Sequence, residues 1–131
     1  MPKLLSDDAV AKYQRDGYYF PLDILSDAET RELRRKLEEY ETTTGGPIQG
    51  DLRHKAHLYL TWLNDLIRHP RILDAVEDVL GPNILCWSTS FFIKEASDPS
   101  FVSWHQDATY WGLSSPDVMT EIGRASCRER V

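Results

Sequence analysis

His105 and Asp107 stand one residue apart in the run Ser103-Trp104-His105-Gln106-Asp107. On an extended backbone successive side chains alternate, so an imidazole and a carboxylate at this spacing share a face and meet at one point. That supplies two of the three ligands of a 2-His-1-carboxylate triad, which holds iron(II) on one face and leaves the opposite positions open. A further histidine from elsewhere in the chain must complete such a site. His54 and His57, at i, i+3, could share a helix face as a second metal pair, but no carboxylate in the same period accompanies them, so they read as structural or substrate-side. His69 precedes Pro70 and reads as a helix-end residue. Lys94 interrupts an apolar run, so it either faces a cavity and meets an anion or faces solvent on an alternating strand. Gln106 points to the other face, and Tyr110 and Trp111 either wall a pocket or fill a core.

The elements that must position these residues divide at Pro82. Ser6-Asp7-Asp8 is an N-cap with first-turn acids, and Gly17 is the matching stop. Tyr18 to Leu22 reads as a strand-like aromatic segment, and Ser26-Asp27-Ala28-Glu29 as a capping box. Leu33, Leu37 and Tyr40 then form one apolar stripe, with Arg31, Arg34, Arg35, Lys36, Glu38 and Glu39 on solvated faces. Thr42 to Pro47 reads as a loop, and residues 51–57 have no clear period. Leu58 to Ile67 and Pro70 to Leu80 resume helical spacing, the second ended by Gly81-Pro82. Ile84 to Glu95 is β-branched and aromatic without helical period, which predicts a long strand with Cys86 in the core. Phe101 to Trp104 predicts a second strand, Gly112 to Asp117 a loop, and Val118 to Thr120 a return to β-type residues. Four helical segments ahead of two or three strands argue an α+β fold.

The run Phe91-Phe92-Ile93-Lys94-Glu95, followed by Trp104-His105-Gln106-Asp107-Ala108-Thr109-Tyr110-Trp111-Gly112-Leu113, resembles the strand pair and signature of the phytanoyl-CoA dioxygenase family. Tyr13 to Tyr18 and Leu25 to Glu29 are similar to that family's amino-terminal segment. The resemblance implies a double-stranded β-helix, a cupin-like jelly roll, of which this chain carries the helices and the first strands. It further implies an enzyme that binds iron(II) and 2-oxoglutarate and couples decarboxylation of that co-substrate to hydroxylation of a small organic molecule by dioxygen. By resemblance His105 and Asp107 are iron ligands, with Lys94 and Trp111 the candidate cofactor-side residues. The distal histidine, and the arginine that pairs with the far carboxylate of 2-oxoglutarate, fall beyond Thr120. The alternatives are a cupin-like enzyme using zinc or manganese, and a non-catalytic jelly-roll binding protein.

The chain of 131 residues suits one domain. Its net charge of −6 and the absence of a Lys/Arg cluster argue against nucleic acid. No apolar run is long enough to span a bilayer, the start turns acidic where a signal peptide would stay apolar, and a cytoplasmic protein is expected. The two cysteines lack metal-knuckle spacing. Residues 121–131 carry neither apolar period nor turn logic, and resemble the in-frame translation of a sequencing adapter. The expected organisation is therefore a partial oxygenase domain over 1–120, helical over about 6–80 and β over about 84–120, with a non-native tail at 121–131. The sequence does not indicate an oligomeric state.

Overall fold

The computed structural model describes residues 2–94 and 97–123. Helix α1 spans Asp7–Asp16; the Ser6 hydroxyl accepts from the Ala9 N–H at 3.1 Å, and Gly17, at φ 80°, donates to the Tyr13 carbonyl. Helix α2 spans Asp27–Thr44 behind a complete capping box, in which the Glu29 carboxylate accepts from the Ser26 N–H at 2.8 Å. Its charged faces pair internally, Arg34 with Glu38 and Arg35 with Glu32 and Glu39, as expected of a solvated surface. The helix runs further than predicted, into the threonines read as a loop. The hydroxyls of Thr42, Thr43 and Thr44 donate back to the carbonyls of Glu38, Glu39 and Tyr40, and Gly45 in the left-handed region ends it.

Two 3-10 turns, Gly50–Arg53 and Ala56–Leu58, fill the region that showed no period. Helix α3, Thr61–Leu66, is shorter than the apolar spacing suggested, because Leu58 belongs to the second of these turns and the helix starts only after Leu60. Helix α4, Pro70–Leu80, starts on Pro70, whose missing N–H costs nothing in a first turn.

These helices bury two separate apolar clusters. Leu5, Ala9, Ile24 and Ala75 form one, with Ile72 and Val79 packed on it, so α1 and the N-terminal segment sit on α4. Ile48, Ala56 and Leu63 form the other, with Tyr40, Leu66 and Phe91 around it. A polar clasp reinforces the first cluster: the N–H groups of Lys3, Leu4 and Leu5 all donate to the Asp78 carboxylate, at 2.6, 2.8 and 2.7 Å.

The helical half of the expected α+β fold is present, and the strands of its β half are not shown among the described residues. Among the described residues there is no strand: Tyr18–Leu22, Ile84 to Lys94, Phe101–Trp104 and Val118–Thr120 are all without ladder assignment. A strand exists only through its partner, and here one antiparallel bridge, His54 with Ser90, is made. It is flanked by Lys55 N–H to Thr89 carbonyl at 2.7 Å and Phe91 N–H to Arg53 carbonyl at 3.0 Å. Lys55, at φ 54°, then turns the chain into the Ala56–Leu58 turn, so pairing stops after one bridge. Without a covering layer Cys86 is exposed rather than in the core. A further helix not foreseen, the single turn α5 over Ala108–Trp111, follows His105-Gln106-Asp107 directly. No described helix is long and apolar enough to cross a membrane.

Candidate metal centre

His105 and Asp107 do meet, though not by the predicted route. Asp107 is helical, at φ −58° and ψ −40°, and caps α5, so the pair lies at a coil-to-helix junction rather than along a strand. His105 Nε2 nevertheless lies 3.2 Å from Asp107 Oδ1, with the two side chains 37% and 28% exposed, open enough to admit a ligand.

Each member is held by a second contact. His105 Nδ1 is 2.7 Å from the Ser103 carbonyl. A carbonyl only accepts, so Nδ1 carries the proton and donates it. In the neutral ring Nε2 then presents a lone pair toward Asp107 Oδ1. The Thr120 hydroxyl donates to the other carboxylate oxygen, Oδ2, leaving Oδ1 for whatever His105 faces. Two lone-pair donors 3.2 Å apart repel unless a proton or a cation lies between them. A metal-bound histidine characteristically donates its other N–H to a carbonyl or carboxylate, and bound carboxylates are themselves hydrogen-bonded. The donor set fits a divalent metal on those grounds. The Tyr110 ring stands edge-on to His105, with centroids 6.3 Å apart.

The other three histidines lie elsewhere. His54 Nδ1 is 3.1 Å from the Ser90 hydroxyl, and the buried His57 has Nδ1 2.8 Å from the Thr89 hydroxyl, so both fasten the 84–94 segment to the 3-10 turns. His69 caps α4 and faces Glu29 across 3.2 Å. Among the described residues no group of three or more His, Cys, Asp or Glu side chains could hold a metal ion.

Lys94 donates to the Ser100 carbonyl at 2.7 Å, closing its own loop. Trp111, the last residue of α5, packs on Trp87 with centroids 6.1 Å apart, and the Lys55 ammonium sits 5.2 Å over the Trp87 ring. Sequence reasoning missed Ser103, Thr120, Lys55 and Trp87. The first two act on His105 and Asp107 through a backbone carbonyl and across 13 positions, which spacing does not reveal. The positive φ of Lys55 likewise has no residue-type signal.

Residues 13–127 match the phytanoyl-CoA dioxygenase family across most of the chain. The chain belongs to that family. L-proline trans-4-hydroxylase of Streptomyces griseoviridis is 27% identical over 124 residues, covering 86% of this chain and 46% of that protein. The ectoine dioxygenase of Bordetella parapertussis is 25% identical over 134 residues, covering 94% of this chain and 43% of that protein. The chain thus spans a little under half the length of these relatives. No solved structure matches it.

Proposed function

We propose that the chain carries the first two metal ligands of an iron(II)- and 2-oxoglutarate-dependent dioxygenase that hydroxylates a small organic substrate. One observation carries the reading: Ser103 and Thr120 hold His105 and Asp107 so that Nε2 and Oδ1 face each other 3.2 Å apart. Iron(II), once bound, supplies the activation of dioxygen and of the co-substrate. The chain's own residues orient that metal. The Ser103 carbonyl keeps the His105 proton on Nδ1, and the Thr120 hydroxyl keeps Asp107 Oδ1 turned toward Nε2. Trp111 and Lys94 are the cofactor-side residues in this reading. Trp111 is tied to the site by α5, which Asp107 caps, whereas Lys94 would exchange the Ser100 carbonyl for a co-substrate carboxylate.

In this reading the domain is partial over 1–120, a third ligand and a 2-oxoglutarate-binding arginine are supplied by sequence past Thr120, and residues 121–131 are foreign to the site. The missing strands of the jelly roll belong to that same stretch. The names of the relatives make L-proline and ectoine the first substrates to assay. The test is to resequence the locus, express the uninterrupted reading frame, and measure succinate formed from 2-oxoglutarate with iron(II). The long form should turn over, and His105→Ala and Asp107→Ala in it should not. Stoichiometric decarboxylation by the 131-residue chain alone, or retained turnover in either variant, would overturn the proposal.

A further inference from the structure

The turn that follows His105 and Asp107 does not hold itself. Helix α5 is the four residues Ala108–Trp111, and Gly112 at φ 62° ends it. Two backbone hydrogen bonds close its entry, Thr109 N–H to the Gln106 carbonyl at 3.2 Å and Tyr110 N–H to the Asp107 carbonyl at 3.0 Å. Fixing a first turn costs more conformational entropy than so few bonds return, so a single turn by itself melts in water. A capping carboxylate is the usual support, but Asp107 makes no side-chain bond to the turn it starts. Its Oδ2 accepts from Thr120 and its Oδ1 faces His105. The order of α5, and with it the direction of the Asp107 carboxylate, is therefore imposed by side chains that reach the turn from elsewhere.

Three ring contacts surround the turn, and they are unequal. Tyr110 stands edge-on to His105, which ties α5 only to the pair itself. Trp104, ahead of the pair, has its ring 5.9 Å from that of Tyr18 but is 90% exposed, so this contact restrains little. Trp111 packs on Trp87, with centroids 6.1 Å apart and planes at 34°.

Trp87 is itself anchored. The Lys55 ammonium sits 5.2 Å over its ring, while the Lys55 N–H donates to the Thr89 carbonyl at 2.7 Å, so one residue grips the segment at two points. Lys55 does so from a left-handed backbone at φ 54°, a conformation that persists in a lysine only where the surroundings enforce it. The buried His57 adds its Nδ1, 2.8 Å from the Thr89 hydroxyl. A line of contacts thus runs from the 3-10 turn Ala56–Leu58 and its cap Lys55 to Trp87, from Trp87 to Trp111, and along α5 to Asp107.

We propose that Trp87 is a positioning residue for the His105–Asp107 pair. It pins Trp111 and so keeps α5 in the orientation in which Asp107 Oδ1 faces His105 Nε2. Trp87 acts through Trp111 and the turn rather than at the pair. What the pair holds rests on the dioxygenase reading, whereas the ordering of α5 by Trp87 is measurable without metal.

The experiment combines heteronuclear NOE measurements on the metal-free 131-residue chain with cobalt(II) titration of the same samples. Trp87→Ala should lower the NOE across residues 107–112, reporting faster local motion, and leave α1, α2 and α4 unchanged. It should also weaken cobalt(II) binding by about three- to tenfold, the effect of losing one aromatic contact, and shift the visible absorption bands of the bound cobalt. Trp87→Phe keeps a ring against Trp111 and should restore affinity to within about twofold. Ile72→Ala, in the first apolar cluster, should lower the melting temperature while leaving the NOE of 107–112 and the cobalt(II) affinity in place. An unchanged NOE over 107–112 in Trp87→Ala would overturn the proposal. So would an equal loss of affinity in Ile72→Ala, or a phenylalanine variant no better than the alanine one. A wild type that takes up no cobalt(II) sinks the metal reading instead, and the NOE comparison then decides the role of Trp87 alone.

Discussion

Ser103 and Thr120 act on His105 and Asp107 from outside that pair, and the two contacts differ in what substitution can reach. The Ser103 contact is a carbonyl and survives any side-chain change, whereas the Thr120 contact is a hydroxyl and does not. Thr120→Val should therefore weaken cobalt(II) binding by about tenfold or more in a titration of this chain, while leaving its thermal melt in place. An unchanged affinity would make Thr120 a structural residue only. That the His105 and Asp107 side chains approach one another was legible from types and spacing, but the reason given for their convergence was an extended strand. They converge instead because Asp107 starts a helical turn and both side chains are restrained by neighbours. Glu29 is the second residue with a measurable signature. Hydrogen bonds from the Ser26 hydroxyl and N–H, and then from His69, hold its carboxyl down to about 2 against an ordinary 4.5. A depressed folded pKa contributes stability that is complete above 4.5 and is lost as pH falls through 4.5 toward 2. The melting-temperature difference between the wild type and Glu29→Gln should accordingly be greatest above pH 4.5 and shrink toward zero near pH 2.

At the scale of elements, what could be read beforehand was what local chemistry decides. Ser6, Gly17, Ser26, Glu29, Pro70 and Gly81 marked helix ends within a residue or two, since caps act on backbone groups in their own turn. Ser26→Ala should cost about 1 kcal/mol, read as a shift in the urea midpoint at neutral pH. The β segments were not legible in the same sense. Ile84 to Ile93 has strand composition, but composition specifies only a willingness to pair, and the partner is decided by distant chain. What holds that segment here is a pair of histidine-hydroxyl contacts, one bridge, and the packing of Trp87 on Trp111 and of Phe91 on the second cluster. Thr89→Val would leave the buried His57 Nδ1 without its partner, and should cost about 1–3 kcal/mol while raising the proteolytic sensitivity of residues 84–94. Lys55 explains why the bridge is not a ladder, because its left-handed backbone diverts the chain immediately after it.

For the molecule as a whole, the two apolar clusters have no member in common, and each is small. Leu5, Ala9, Ile24 and Ala75 bind the N-terminal segment to α4, while Ile48, Ala56 and Leu63 bind the end of α2 to the 3-10 turns and α3. Leu63→Ala should cost about 2–3 kcal/mol by emptying much of the second cluster, with little effect on the first. Asp78 stands apart from both. Its burial raises the carboxyl pKa, but the N–H groups of Lys3, Leu4 and Leu5 outweigh that and bring it below its usual value. The clasp has a practical consequence for handling the protein. Because three consecutive amides beginning at Lys3 are committed to one carboxylate, residues 3–5 are a structural part of the fold. An affinity tag joined directly ahead of Met1 would be drawn against the acidic side of α4, where Asp74, Glu77 and Asp78 lie, and a basic tag would compete there with the Lys3 ammonium for Glu77.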